Sequence, residues 1–107
     1  MINFDDFTKL DIRIGKIISV EKVPETDRLL KFEIDLGSEK RTIVGGWALA
    51  YPDPAVLVDT LVPVLTNLEP RTIRGIVSQG MLLGATQNDQ PVALHPDQNV
   101  EPGSQVR

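Results

Sequence analysis

The chain has no cysteine, which excludes disulfides, thiol catalysis and cysteine-ligated zinc. Its one histidine, His95, precedes Pro96 in a polar stretch. A lone imidazole does not build a multi-histidine metal site, and a surface turn is its simplest place. No apolar run is long enough to span a bilayer. The start, Met1-Ile2-Asn3-Phe4-Asp5-Asp6, is acidic, unlike a secretory or transit leader, so the cytoplasm is the expected location. An excess of basic charge is also missing: 11 Lys+Arg against 15 Asp+Glu give a net charge of −4, which globally counts against nucleic-acid binding. Carboxylates are plentiful, but none pairs in sequence with a base or a metal-ligand cluster. The chain is therefore not expected to be an enzyme, and no cofactor or metal is expected.

What is present fits one domain. The chain has 107 residues, enough for a single modest core that dimerisation would naturally supplement. The methionine start and single-domain length point to a free-standing protein. The basic residues are unevenly placed: eight of the 11 lie in residues 1–44, Arg71 and Arg74 add two, and residues 75–106 hold none. Binding an anion needs a local patch more than a positive total.

Hydrophobic patterning gives the elements in order. Asn3 as cap, Asp5 and Asp6 behind it, and Phe4, Phe7 and Leu10 at every third residue predict a short helix over 3–10. From Asp11 to Val23 the pattern is a strand, with Ile12, Ile14, Ile18 and Val20 on one parity; Gly15 interrupts it and marks an expected bulge or bend. Leu30, Phe32, Ile34 and Leu36 alternate with Lys31, Glu33 and Asp35 as a second strand. Gly37-Ser38 turns into a third, Arg41-Thr42-Ile43-Val44. Asp53-Pro54 is a helix start for a very short helix near 54–58. Leu61-Val62-Pro63-Val64-Leu65 is a strand with Pro63 arguing for an edge or bulge. Met81-Leu82-Leu83-Gly84-Ala85 reads as a buried strand, 87–90 as a turn and Val92-Ala93-Leu94 as a last short strand. The sum is an all-β chain, read as a five-stranded OB-fold Greek-key barrel with a short N-terminal helix and a short helix between strands 3 and 4, although periodicity alone does not distinguish this from another small barrel or a sandwich. Its expected organisation is helix 1–10, barrel 11–94 and C-terminal extension 95–107.

The stretch from Asn67 to Met81 stands apart. Arg71 and Arg74 lie three residues apart between Pro70 and Gly75, and the polar Ser78-Gln79-Gly80 precedes Met81. A loop and short strand here would present Arg71, Arg74, Ser78 and Gln79 on one surface, with two cations, several neutral hydrogen-bonding groups and no nucleophile–base pair. That suits a phosphate backbone better than covalent chemistry. Each residue also has a plainer reading. The arginines could be solvated charges. Asn67 could contact RNA or cap a strand end through its own backbone. Ser78 and Gln79 could serve sugar hydroxyls or satisfy loop amides, and Met81 could bind or pack in the core. Lys16, Lys31 and Arg41 fall on three successive strands and could form a basic stripe, with contact favoured for Lys31 and Arg41. Arg13 can pair with Asp11. Trp47 and Tyr51 could stack on bases, but core or dimer packing suits them better.

Several motifs together resemble one family. They are Phe7-Thr8-Lys9-Leu10-Asp11-Ile12-Arg13-Ile14-Gly15-Lys16-Ile17, Leu29-Leu30, Asp35-Leu36-Gly37, Arg41-Thr42-Ile43-Val44, Asn67-Leu68-Glu69-Pro70-Arg71 and Ser78-Gln79-Gly80-Met81-Leu82. The chain looks like the OB-fold tRNA-binding domain found as a small bacterial tRNA-binding protein and as the C-terminal appendage of methionyl-tRNA synthetases, and more distantly in a secretion chaperone. The resemblance covers nearly the whole chain. It implies non-catalytic tRNA binding by a homodimer, guided by RNA shape and backbone, with Ser78 and Met81 among the contacts. The full expected RNA-binding set is Lys31, Arg41, Asn67, Arg71, Arg74, Ser78, Gln79 and Met81. The chain departs from the pattern in places. Val23-Pro24-Glu25-Thr26-Asp27-Arg28-Leu29 stands where many members carry His-Pro-x-Ala-Asp-Lys-Leu, and Val44-Gly45-Gly46 where synthetase appendages often have Val-Ser-Gly. The rival expectation is an interaction module: a dimerisation or docking appendage for methionyl-tRNA synthetase, or a chaperone-like protein binder.

Overall fold

A computed structural model describes all residues, 1–107. Helix α1 (Phe4–Phe7) is one turn held by a capping box, in which the Asn3 side chain accepts from the Asp6 N–H and the Asp6 carboxylate accepts from the Asn3 N–H. Five strands pair in one curled sheet: β1 (Ile12–Lys22), β2 (Leu30–Asp35), β3 (Lys40–Gly45), β4 (Leu61–Leu65) and β7 (Met81–Leu82), in spatial order β3-β2-β1-β4-β7. A 3-10 turn, Pro54–Leu57, sits between β3 and β4, with Asp53 accepting from the Ala55 N–H and Pro54 at the first position. The remaining strands are short: the hairpin β5 (Arg71–Ile73) and β6 (Ile76–Ser78), the hairpin β8 (Gly84–Gln87) and β9 (Gln90–Ala93), and β10 (Gln105–Val106) on β1. The architecture is mostly β, a curled open sheet consistent with an OB-like barrel. Ten strand segments are present where five were expected, because β10 adds a sixth strand to the main sheet and the two hairpins form separate two-stranded sheets of their own.

β1 serves both halves of the sheet. Residues 12–16 pair with β4 and residues 16–22 with β2, so the strand changes partner at Lys16. The register break lies at Ile18, between Ile17 and Ser19, three residues beyond the glycine expected to mark it. Ile17 faces the core on the same side as Gly15, and the extra residue leaves Ile18 exposed and brings Val20, of the opposite parity, against the core. Gly15 has another task. A Cβ there would come within 2.4 Å of the Ile34 side chain, so its absence allows β1 and β2 to cross closely. The core gathers Leu30, Phe32 and Ile34 of β2 with Ile17, Ile43, Val62 and Val64, all almost fully buried. Trp47 caps it edge-on to Phe32, with ring centroids 6.0 Å apart, and stacks on Tyr51. The Tyr51 hydroxyl accepts from the Ala93 N–H at 2.9 Å, tying the β8–β9 hairpin to the barrel.

The C-terminal residues also join the barrel. The Gly103 N–H donates to the Ile14 carbonyl and the Ile14 N–H to the Ser104 carbonyl, and β10 then continues along β1. Residues 95–107 thus add to the barrel sheet as well as extending the chain. Met81 to Ala85 is not one buried strand. Only Leu82 is buried, and the pairing with β4 ends there, because Gly84 starts a separate hairpin turned toward solvent. No helix is long and apolar enough to cross a membrane.

Candidate nucleic-acid interface

The site starts from a two-residue turn. Thr72-Ile73 and Ile76-Val77 are β-branched and pair directly, leaving Arg74 and Gly75 to reverse the chain. Both have positive φ, 51° and 80°, the pattern of the turn whose twist matches paired strands. The hairpin carries Arg71 at its base and Arg74 at its tip, and both side chains are exposed. The ion pairs in the structure are Lys9–Asp6, Arg13–Asp11, Lys31–Glu21 and Arg41–Glu39. Neither Arg71 nor Arg74 is in one, so both cations are available to an anion.

The hairpin's return lies along the outer edge of β3. Side chains rather than a neighbouring strand satisfy that edge. The Val44 N–H donates to Ser78 Oγ at 3.0 Å and the Thr42 N–H to Gln79 Oε1 at 3.2 Å. The Gln79 N–H returns a bond to the Thr42 carbonyl at 2.9 Å. Gly80 follows with φ 138°, where a Cβ would lie 2.8 Å from the Leu65 carbonyl. Ser78-Gln79-Gly80 is thus the seam that joins the two edges of the curled sheet.

Beside the seam lies a groove of about 350 Å³. Leu29 and Val44 line it from the β2–β3 side, Leu68, Arg71 and Ile73 from the hairpin side, and Met81 from the end. Glu69 and the edge of Trp47 also reach it. Met81 and Leu68 are each 45% exposed, whereas Ser78 is 5% exposed. In chain order, the groove lies between the β1–β2 loop and the hairpin that follows β4. In OB folds, these loops and the adjoining strand face are the usual ligand surface.

The structure brings together three of the eight expected residues, Arg71, Ser78 and Met81, around this groove, and Arg74 stands on the hairpin above it. The other four are engaged elsewhere. Gln79 is in the seam. Asn67 accepts from the Asp11 N–H at 2.8 Å and donates to the Lys9 carbonyl at 2.6 Å, fixing the start of β1 against the end of β4. Arg41 donates to Glu39 and to the Thr66 and Gln79 carbonyls. Lys31 faces Glu21 across the β1–β2 pair, Nζ to Oε1 at 3.1 Å. Lys31 and Arg41 thus carry acidic partners, which weakens the basic stripe they were expected to form. Arg13 holds Asp11, Nε to Oδ1 at 2.9 Å. Trp47 is buried in the core and offers no open ring face.

Three contributors escaped sequence reasoning. Leu68, Glu69 and Ile73 fall inside the expected loop and short strand, with no contact assigned to them, yet all three line the groove. The signal was available: an Arg-Gly turn between two β-branched pairs is a hairpin, which gives its flanking residues a face. Arg28 is a fourth, exposed and without an ion pair, immediately before Leu29 of the groove.

Residues 12–105 match a family model described as a putative tRNA-binding domain. The chain belongs to that putative tRNA-binding domain family. It is 50% identical over 107 residues to a methionine–tRNA ligase of Bacteroides fragilis, covering 99% of this chain and 16% of the ligase. This tRNA-binding domain thus spans about a sixth of the length of the curated relatives it matches. Among solved structures, it superposes on a protein related to methionyl-tRNA synthetase from Pyrococcus horikoshii with a TM-score of 0.92 and 31% identity, covering 100% of this chain and 98% of that one. It also superposes on the chaperone CsaA of Bacillus anthracis with a TM-score of 0.89 and 27% identity, covering 100% and 99% of the two chains. The resemblance drawn from the motifs between Phe7 and Leu82 is therefore shown, and the Asn67–Leu82 segment among them is the one that builds the seam and groove.

Proposed function

We propose that the chain is a non-catalytic module that binds tRNA through the Arg71–Arg74 hairpin and the groove beneath it, as a cytoplasmic homodimer. The observation that carries this reading is a pair of cations without acidic partners, projected by a two-residue turn beside an exposed Met81. Arg71, Arg74 and Met81 touch RNA directly, with Lys31 on the adjoining face exchanging Glu21 for a phosphate when RNA is present. Asn67, Arg41, Ser78 and Gln79 act through the backbone they hold, because the side chain of each already bonds a backbone group of the protein. Dimerisation draws support from α1, which buries no residue and leaves Phe4 74% exposed. The test is a mobility-shift titration with tRNA at two salt concentrations, with sedimentation of the free protein alongside. Retardation at low salt that weakens at high salt is expected. Absence of retardation at low salt, or retardation indifferent to salt, removes the reading.

The likeness to the CsaA chaperone supports a second reading, in which the module docks on a protein: a synthetase or an unfolded client. Co-purification separates the two. Recovery of such a partner from nuclease-treated extract, with no RNA bound by the purified chain, favours the second.

A further inference from the structure

We infer that the groove beside Met81 takes one unpaired nucleotide of a structured RNA, its base inward and its phosphate at the rim on Arg71; this rests on the tRNA-binding reading above. Size is the first argument. At about 350 Å³, the groove is at the lower end of small-ligand pockets and has no room for a duplex. The bases of a paired helix are stacked and offer only their edges, whereas loops and bulges can splay a base out. The groove therefore calls for an unpaired base.

Its lining gives the orientation. Leu68 and Met81 expose nearly half their surfaces and Ile73 is half-buried, so the walls have apolar side chains to flank a planar ring. Met81 adds a polarisable thioether, which favours contact with aromatic rings. Trp47 does not supply the platform, because its ring is packed against Phe32 and Tyr51. Charge decides which end enters. Glu69 lines the same groove as Arg71. A phosphate pushed inward would meet that carboxylate, whereas a base is neutral and can give it an amino hydrogen. Neither Arg71, at the groove, nor Arg74, at the hairpin tip, is held in an ion pair, which favours an anion at the rim. An apolar peptide segment would leave those two cations without a function, so the nucleotide is the occupant the charges favour.

The experiment uses the 107-residue protein and three RNA duplexes of one sequence: fully paired, with a single bulged cytidine, and with an abasic residue at the bulge. Binding is followed by the emission of Trp47, the one tryptophan, at the groove edge. The bulged cytidine is expected to bind about tenfold more tightly than the paired duplex, the low end of what one accommodated base contributes. The abasic bulge, with the same phosphates, should return to the duplex value, and joint Leu68→Ala and Met81→Ala substitution should abolish the gain. Equal affinity for base-bearing and abasic bulges overturns the inference. If tRNA still binds in a salt-dependent way, only the inference falls. If no RNA binds, the tRNA-binding reading falls with it. Saturation of the Trp47 signal by an unfolded polypeptide that excludes the bulged RNA also overturns it and makes the groove a peptide site.

Discussion

Replacing Ser78 with alanine separates the seam from the ligand surface. Ser78 is 5% exposed. Its Oγ accepts from the buried Val44 N–H at 3.0 Å and makes a long contact with the Gly80 carbonyl at 3.4 Å. Val44 lies on the outer edge of β3, with its N–H turned away from β2. Alanine therefore leaves that amide buried and without an acceptor, at a cost of about 1–3 kcal/mol. The lost contact to Gly80 adds little, because its geometry is poor. For a domain of this size, a loss near 2 kcal/mol lowers the melting temperature by roughly 8–16 °C. In urea, the midpoint should fall by about 1 M with an unchanged slope, and Trp47 emission reports the transition because the ring is packed on Phe32. At a temperature where both proteins are folded, tRNA affinity should change less than about threefold, well under the tenfold that corresponds to 1.4 kcal/mol. The opposite pattern, an unchanged unfolding curve with tRNA affinity reduced tenfold or more, would refute the reasoning. It would mean that the hydroxyl faces the RNA and the Val44 amide has another partner.

Arg71→Ala combined with Arg74→Ala should weaken tRNA binding across sequences and flatten the plot of log affinity against log salt by about one to two units; a titration series over four salt concentrations measures it. Gly103→Ala should cost about 2 kcal/mol or more in denaturant unfolding, because Gly103 has φ +93° and a Cβ there would sit 2.5 Å from the Leu36 carbonyl. An unchanged midpoint would mean that the C-terminal strap contributes nothing. Phe4→Glu should shift sedimentation toward the protomer without altering the fold, since Phe4 buries little surface within one chain; a stable dimer in that variant would move the interface away from α1.

The second strand was fully legible. Leu30, Phe32, Ile34 and Leu36 alternate with three charged residues, and the former are buried while the latter are not. The caps were equally readable, since Asn3, Asp53 and Pro54 act on neighbours within three residues. Long-range requirements were harder to read. Gly15 marked an exception correctly, but its cause is the Ile34 side chain on another strand, whereas the bulge three residues on carries no special residue. Met81 begins an apolar run that patterning assigns to the core. It is exposed because it lies on the face of its strand opposite the buried Leu82. The fates of Asn67, Arg41 and Lys31 depended on Lys9, Thr66 and Glu21, none of which the one-dimensional pattern brings near. Two adjacent edges of a curled sheet leave amides that some side chain must satisfy. The sequence therefore points to the right segment without saying which of its polar groups face inward.

The net charge of −4 bears on RNA binding less than the pairing pattern does. Four carboxylates, Asp6, Asp11, Glu21 and Glu39, are held by cations, and Glu33 accepts from the Thr42 hydroxyl at 2.8 Å. The four ion pairs cancel locally and contribute little field beyond about 8 Å at physiological ionic strength, while Glu33 keeps its charge and only its hydrogen bond is satisfied. In the proposed mode, an approaching phosphate meets Arg71 and Arg74 at the hairpin and Arg28 beside the neighbouring loop, with Glu69 the opposing charge inside the groove. So few cations give weak long-range steering, and association should be slower than for a strongly basic protein. Discrimination must then come at contact, from the shape of the groove and the fixed reach of the hairpin. A rigid seam serves that end: by giving Ser78 and Gln79 to the β3 edge, the fold fixes where Arg71 stands relative to Met81. Side chains that face the protein thereby set the spacing of those on the proposed RNA surface.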